Sequence, residues 1–395
     1  MIQYKRISGG QKPHIHQIKK NNHMPKKINI AVSIAFLGLL SISYSFSKKE
    51  SAQQKIPSLK EVFKNDFAIG TAMNSFQIEE KDPKAALLIP QQFNMATPEN
   101  IMKAEIIHPQ WDVYNFDQGD KLIEYGKKYN IKVNGHTLIW HSQLPTFARN
   151  MQSVDSFKSF FTNHINTIAG RYNGKVFSWD VVNEALNEDG SMRKSIFLNK
   201  LGEDFVTDAF RLAQAAAPQT ELYYNDYNNE QPAKRAGCIA LIKKIQAAGV
   251  RIDGVGIQGH WHAGKIPLKD IEESIIQYGA LGIKVMITEL DIEVLPRNFQ
   301  GAEVSQRIKS DPSLNPYVNG LPDSIQQKLA NDYASLFKLF LKHKNIVTRV
   351  TFWGVTDGQS WLNGWPVPGR TNYPLLFDRN YNPKPAFDAV IALKK

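Results

Sequence analysis

The chain has a single cysteine among its 395 residues, so no intramolecular disulfide can form. Cys238 lies in the segment AGCIALIKKIQAAG, in register with Leu241, Ile242 and Ile245 on one helical face. This spacing predicts a buried, small apolar side chain and not a reactive thiol. The histidines show no metal-ligand spacing either, so we predict no metal site and no cofactor.

The chain also has almost no net charge outside its first 55 residues. The formal net charge is +11, but residues 1–55 hold ten of the 48 basic residues and one of the 37 acidic residues, which leaves +2 for residues 56–395. The positive charge therefore belongs to a basic leader, and the rest lacks the basic surface of a nucleic-acid-binding protein. We predict a monomer without a nucleic-acid partner or a dedicated protein partner.

Only the leader contains a long run without charge. Residues 30–46 read IAVSIAFLGLLSISYSF and follow directly on a segment with Lys26 and Lys27. A basic segment followed by an apolar run is the pattern of an export signal. We therefore expect the protein to be exported, either secreted or periplasmic.

The leader also bears on where the mature chain begins. Met24 stands just ahead of the two lysines, which favours it as the true start codon, with residues 1–23 a misannotated extension. The small side chain of Ser47 predicts cleavage after that residue, but no A-x-A pattern is present. An uncleaved membrane anchor is the alternative.

Short apolar runs alternate with longer segments of helical period over residues 56–395, which is the pattern of parallel βα units. The fold class predicted is α/β, a single (β/α)8 TIM barrel with elongated loops after strands seven and eight, at 293–330 and 358–380. No glycine-rich phosphate-binding turn follows an early strand, so an open doubly wound sheet is not favoured. The eight predicted strands are 67–74, 92–99, 132–141, 176–184, 221–228, 254–261, 284–292 and 348–357.

Two glutamates stand at polar strand ends, where the active site of such a barrel forms. Glu184 ends the fourth strand in SWDVVNEA, and Glu289 lies in VMITELDI of the seventh strand. Paired carboxylates are what glycosidic cleavage requires, because one must protonate the departing oxygen while the other attacks or stabilises the sugar cation. A glutamate at a strand end is often only a salt-bridge partner, but two beside Trp, His, Asn and Gln favour catalysis.

The chain resembles glycoside hydrolase family 10 in eight separate blocks that follow the family's order over nearly all of residues 56–395. Agreement at so many places is far more specific than one short motif. The blocks are FNMATPENIMK, VNGHTLIWHSQLP, WDVVNEA, YYNDYN, IQGHW, ITELD, TFWGVTD and GRTNYPLLFD.

The resemblance implies a role for each residue of the catalytic pair. Glu184 corresponds to the general acid/base and Glu289 to the nucleophile, while Asn183 is expected to bind the 2-hydroxyl of the sugar being cleaved. A retaining enzyme of this kind holds its two carboxyl groups roughly 5 to 5.5 Å apart. His260 is expected to contact Glu289, with Asp291 holding the imidazole and Gln258 beside them.

The resemblance also implies a set of substrate-binding residues. A hydrogen-bonding cluster on the glycone side comprises Glu99, Asn100, Lys103, His136, Trp140 and Gln143. Three aromatic residues, Tyr227, Trp353 and Trp361, match positions that line the cleft, where rings stack on the apolar faces of sugars. Phe147 departs from the family, which often has Trp there, so affinity on the aglycone side is left open.

The paired glutamates indicate a glycosidase, and the resemblance to family 10 implies an endo-1,4-β-xylanase, a retaining enzyme acting on xylan and xylo-oligosaccharides. The first alternative is a β-1,4-glucanase or a hydrolase of mixed specificity on the same barrel. The second is a barrel that binds polysaccharide without cleaving it, which the retention of both glutamates, Asn183, Gln258 and His260 disfavours.

Overall fold

In the computed structural model, which describes residues 56–297 and 302–395, β-strands alternate with helices along the whole described chain. The predicted leader, with its export signal or anchor, lies outside these residues. The strands are β1 (Ala68–Met73), β2 (Met95–Pro98), β3 (Lys132–Trp140), β4 (Ser178–Asn183), β5 (Glu221–Asp226), β6 (Gly254–Ile257), β7 (His260–His262), β8 (Lys284–Glu293) and β9 (Val347–Phe352).

Eight of these strands close into a parallel barrel. The order β6-β5-β4-β3-β2-β1-β9-β8 returns to its start because β6 also pairs with β8. Every neighbouring pair is parallel. The predicted (β/α)8 barrel is therefore confirmed.

Helices cover the outside of the barrel, and their ends carry recognisable start and stop signals. The Asp82 carboxylate caps α3 by accepting from two backbone amides, and Pro83 occupies the first helical position. Asn130 ends α5 in the left-handed conformation. The helices are α1 (Leu59–Val62), α2 (Ser75–Ile78), α3 (Pro83–Gln92), α4 (Ala104–Ile107), α5 (Asp117–Tyr129), α6 (Thr146–Arg149), α7 (Val154–Arg171), α8 (Ile196–Leu201), α9 (Phe205–Ala216), α10 (Pro232–Ala247), α11 (Leu268–Gly279), α12 (Asp323–Lys342) and α13 (Pro385–Ile391).

The apolar core lies between this helical layer and the strands. Ile165 of α7, Ile242 of α10 and Phe337 of α12 are completely buried in it. Cys238 is also buried on α10, as its register predicted, and burial raises the pKa of its thiol to about 12. None of the helices in the two described ranges is long and apolar enough to cross a bilayer.

The predicted boundaries depart most from the structure at two places, and the eighth predicted strand also ends earlier, at Phe352. The sixth predicted strand is broken, because Gly259 adopts a φ of +85° and separates β6 from β7, which pairs with the far end of β8. The loop predicted at 293–330 ends earlier, since α12 begins at Asp323, directly after Pro322. The chain after β9 has only short 3-10 turns before α13, which agrees with the predicted long loop.

Candidate active site

The carboxyl ends of the barrel strands surround a cavity of about 230 Å³. The cavity is lined by thirteen of the fifteen residues that the sequence suggested for the site, and by Ala302 and Val304 from the loop after β8. Asp291 and Tyr227 are not among its lining residues. The thirteen are Glu99, Asn100, Lys103, His136, Trp140, Gln143, Asn183, Glu184, Gln258, His260, Glu289, Trp353 and Trp361.

Glu184 follows β4 directly, and its carboxylate is surrounded by hydrogen-bond donors. The Trp140 indole Nε1 donates to Oε2 at 2.8 Å, and the Gln258 amide donates to Oε1 at 3.1 Å. The neighbouring Asn183 amide also donates to Oε1, at 3.2 Å. Only 3% of Glu184 is exposed, so these donors replace the water that the carboxylate has lost.

The backbone at Glu184 is in the left-handed region, with a φ of +58°. This conformation is costly for a residue with a Cβ, and it requires support from the surroundings. Three hydrogen bonds provide that support: the Glu184 amide donates to the Asn225 carbonyl at 2.9 Å, Arg193 Nε donates to the Glu184 carbonyl at 3.0 Å, and the Ala185 amide donates to the Tyr224 hydroxyl at 3.1 Å.

Glu289 lies on β8, also almost completely buried, but it has different partners. The Asn225 amide donates to its Oε1 at 2.7 Å, and His260 Nε2 lies 3.3 Å from its Oε2. Burial by itself would raise the pKa of Glu289, but the hydrogen bond from His260, the electrostatic influence of His136 and His260, and the hydrogen bond from the Asn225 amide outweigh it. The pKa of Glu289 therefore lies below its usual value, and the carboxylate is held ionised.

His260 is held between two carboxylates. Its Nδ1 lies 3.0 Å from Asp291 Oδ1, while the other Asp291 oxygen accepts from the Trp361 indole at 2.7 Å. Burial opposes a charge on the imidazole, but Asp291 and Glu289 together raise the pKa of His260 well above its usual value. The imidazolium can therefore donate to both carboxylates, and Asp291 acts on Glu289 through it.

Asn225, at the end of β5, was missed by the sequence reasoning although it lies in the quoted block YYNDYN. Its amide bridges Glu289 and the Asn183 side-chain oxygen, 2.9 Å away, and its own oxygen accepts from Thr288 at 2.6 Å. A Cβ on Gly256 would lie 2.2 Å from that oxygen, so the adjacent strand must carry glycine here.

The glycone-side residues form a connected polar group on the other flank of the cavity. Lys103 Nζ and the Gln143 amide both donate to Asn100 Oδ1, at 3.0 and 3.3 Å, and Lys103 lies 4.7 Å from the Trp140 ring centroid. Burial lowers the pKa of Lys103 despite the charges of nearby glutamates, and burial raises the pKa of Glu99. These groups offer both donors and acceptors to a polyhydroxylated ligand.

His136 and Trp353 complete this flank. His136 Nδ1 lies 3.0 Å from the buried carboxylate of Asp180, and its ring meets Trp353 edge-on with centroids 5.4 Å apart. Trp353 also meets His260 edge-on, at 6.5 Å. The two aromatic faces at the end of the barrel, Trp353 and Trp361, border the same cavity as the two glutamates.

Tyr227 is placed differently from the other aromatic residues. It is 5% exposed, its hydroxyl accepts from Arg193 Nη2 at 2.9 Å, and it packs with Ala302, Leu362 and Trp365. The assignment of Tyr227 to the cleft stays a prediction. Among the described residues, no group of three His, Cys, Asp or Glu side chains could hold a metal ion.

Two carboxylates in one cavity, with separate sets of partners, can divide the work of an acid and a nucleophile. Comparison with known proteins agrees with this chemistry. Residues 58–393 match the model of glycosyl hydrolase family 10. The chain is 44% identical to endo-1,4-beta-xylanase A of Xylanibacter ruminicola over 347 residues, which cover 86% of this chain and 94% of the relative.

Two further similarities point the same way. The chain is 39% identical to a beta-1,4-xylanase of Dictyoglomus thermophilum over 363 residues, covering 91% of this chain and 98% of that protein. A solved family 10 endoxylanase retrieved from a sugarcane soil metagenome superposes with a TM-score of 0.82 at 43% identity, covering 85% of this chain and 100% of that structure. The chain belongs to glycosyl hydrolase family 10, as its barrel, its pair of buried glutamates and these relatives show.

Proposed function

We propose that this protein is an endo-1,4-β-xylanase, which hydrolyses internal bonds of xylan and xylo-oligosaccharides with retention of the anomeric configuration. The observation that carries the proposal is the sharing of one cavity by Glu184 and Glu289, each with its own hydrogen-bond partners. The relatives described above are named as xylanases, which supports xylan over β-1,4-glucan as the substrate.

The reaction proceeds in two displacements. The ionised Glu289 attacks the anomeric carbon while Glu184 gives its proton to the departing glycosidic oxygen, so the C–O bond breaks and a glycosyl ester forms. Esterification removes the negative charge of Glu289. Glu184 then takes a proton from water, whose oxygen attacks the same carbon and releases Glu289.

The side-chain amides of Asn183 and Asn225 can respond to the charge that develops on the sugar. Asn183 accepts from Asn225, and Asn225 also holds Glu289, so the group expected to meet the 2-hydroxyl is linked to the nucleophile. Hydrogen bonds to the 2-hydroxyl strengthen as the transition state develops.

Exchange of each glutamate for alanine tests the division of labour. Glu184→Ala should cripple cleavage of xylan, because its alcohol leaving group needs protonation. Aryl xylobiosides with acidic phenols should still form the covalent intermediate and then stall. Azide, which needs no general base, should restart turnover and give a β-configured glycosyl azide.

Glu289→Ala is the matched comparison and should lose activity on both substrates. Any azide rescue of this variant should give the opposite anomer. An α-configured azide from the Glu184 variant would contradict the assignment of roles or the retaining mechanism itself. Release of reducing ends from soluble cellulose at a higher rate than from xylan would contradict the substrate.

We also propose that the protein is exported and acts as a monomer. The basic segment at Lys26 and Lys27 and the apolar run at 30–46 support export. The N-terminus of the mature protein should lie near Lys48. An intact leader in the membrane fraction would favour the anchor, and an intact leader in soluble cytoplasm would contradict export. Light scattering of the purified protein tests the monomer.

A further inference from the structure

The loop after β8 contributes a wall to the catalytic cavity. Ala302 and Val304 line the cavity, and Ala302 is only 3% exposed. The side chain of Glu303, between them, reaches two basic groups instead. We call residues 302–304 the strap.

The contacts of Glu303 place the strap far from the strand that precedes it. Its Oε2 lies 2.7 Å from Arg193 Nη1 and 3.8 Å from His141 Nε2. His141 directly follows β3, and Arg193 lies in the segment after β4, whereas β8 stands opposite β3 in the eight-stranded ring. The strap therefore lies over the opening of the barrel, held at the side away from β8.

The ion pairs of Glu303 are partly shielded from water. The exposed fractions of the Glu303, Arg193 and His141 side chains are 22%, 16% and 20%. The nearby His141, a hydrogen bond from the Ser305 backbone amide and the charge of Arg193 lower the pKa of Glu303 to about 2 despite its burial. Such pairs are screened less than fully exposed ones, so they can hold a loop in place.

The strap also covers part of the cleft wall. Ala302 packs with Tyr227, Leu362 and Trp365 in one apolar cluster, and Lys234 Nζ lies over the Tyr227 ring at 3.8 Å from its centroid. With these neighbours in place, Tyr227 is only 5% exposed, so little of its ring is open to a sugar. A chain that extends from the catalytic cavity past Tyr227 must displace the strap.

We propose that the strap limits how far a bound xylan chain can extend from the cavity, and that Glu303 is the specificity-determining residue that holds it. The inference rests on the proposed function. A small aryl glycoside needs only the cavity, whereas a polymer must also open the strap before it can bind. The apparent affinity for the polymer is then reduced by the fraction of molecules in which the strap is closed.

The test compares kcat/KM for polymeric xylan with kcat/KM for an aryl β-xylobioside, in the wild type, Glu303→Gln and Glu303→Ala. Loss of a partly buried ion pair should raise the ratio of polymer to aryl substrate about five-fold in the alanine variant, and less in the glutamine variant. The change should appear mainly in KM for xylan, because the strap acts on binding and not on bond cleavage.

Glu272→Gln is the matched control. Like Glu303, Glu272 pairs with one cationic side chain and one histidine, here Lys342 and His343 at 2.6 and 2.8 Å, but it does not line the cavity. In this variant, the ratio of kcat/KM for xylan to kcat/KM for the aryl xylobioside should equal that of the wild type. An unchanged or lower ratio in both Glu303 variants would overturn the proposal. Absence of wild-type activity on both substrates would instead contradict the proposed function.

Discussion

At the scale of one residue, the left-handed backbone at Glu184 predicts how two substitutions there should differ in stability. Glu184→Gly and Glu184→Ala both remove the carboxylate, but only glycine adopts a φ of +58° without strain. We expect the glycine variant to be more stable than the alanine variant by about 1 kcal/mol. Urea unfolding of the two variants measures the difference.

Val255 provides the control for this comparison. It is a fully buried residue within β6, which pairs in unbroken register with both neighbouring strands. There the alanine variant should be more stable than the glycine variant. The same order at both positions would mean that the strain at Glu184 is relieved by other means.

A second prediction concerns Asp291, which acts on the nucleophile through His260. Asp291→Asn removes the charge that does most to raise the pKa of His260. His260 should then lose its proton at a lower pH, and the pKa of Glu289 should rise, because the imidazolium is among the groups that lower it. The acidic limb of kcat/KM against pH, measured with an aryl xylobioside, should move to higher pH. A fall in rate without this movement would indicate a structural role alone.

Much of the site could be predicted at this scale, because Glu184, Glu289 and their neighbours lie in blocks that carry the family resemblance. Asn225 was not assigned, since its role depends on two strands that meet only in the closed barrel. Ala302 and Val304 have no chemical signature at all, and their place in the cavity is set by the distant ion pairs of Glu303.

At the scale of elements, a buried histidine pair joins α4, β3 and α7. The Nδ1 atoms of His108 and His164 are 3.0 Å apart, and His164 Nε2 lies 2.9 Å from the Leu138 carbonyl. Burial lowers the pKa of His108 to about 4, and burial together with the charge of His108 lowers that of His164 to about 3. Both rings are therefore neutral at physiological pH.

This pair predicts loss of stability in acid. In the unfolded chain a histidine has a pKa near 6.5, so the unfolded state takes up protons first as the pH falls. The contribution of the pair is complete above about pH 6.5 and should shrink by about 3 kcal/mol for each histidine as the pH falls to 4. Urea unfolding at several pH values measures this slope. His108→Gln should flatten it, and an equal slope in this variant would contradict the assignment.

All eight barrel strands were predicted, because each is a short run of β-branched or other apolar residues that ends in polar ones. Their exact limits were less predictable. Gly259 breaks the sixth strand because it adopts a positive φ, a conformation that glycine can adopt but that its presence does not predict. Pro322 likewise allows either a continued loop or a helix start, and the packing of α12 decides between them.

At the scale of the whole molecule, export should change the charge of the protein. Counted from Met1, cleavage after Ser47 lowers the net charge from +11 to +4; counted from Met24, it removes only Lys26 and Lys27 and lowers the net charge from +6 to +4. The isoelectric point of the exported protein should therefore lie below the value of about 9.4 for the whole chain. Isoelectric focusing of the extracellular and membrane fractions measures it, and an unchanged value outside the cell would contradict cleavage.

The closure of the barrel also determines when, during synthesis of the chain, the protein can complete its fold. β1 and β9 pair with each other although they lie near opposite ends of the described chain, and Lys394 pairs with Asp66 just ahead of β1. A growing chain that has not yet reached residue 347 must therefore leave an edge of β1 without its partner. The barrel can be completed only at the end of synthesis, so the export that we propose could begin before the chain folds.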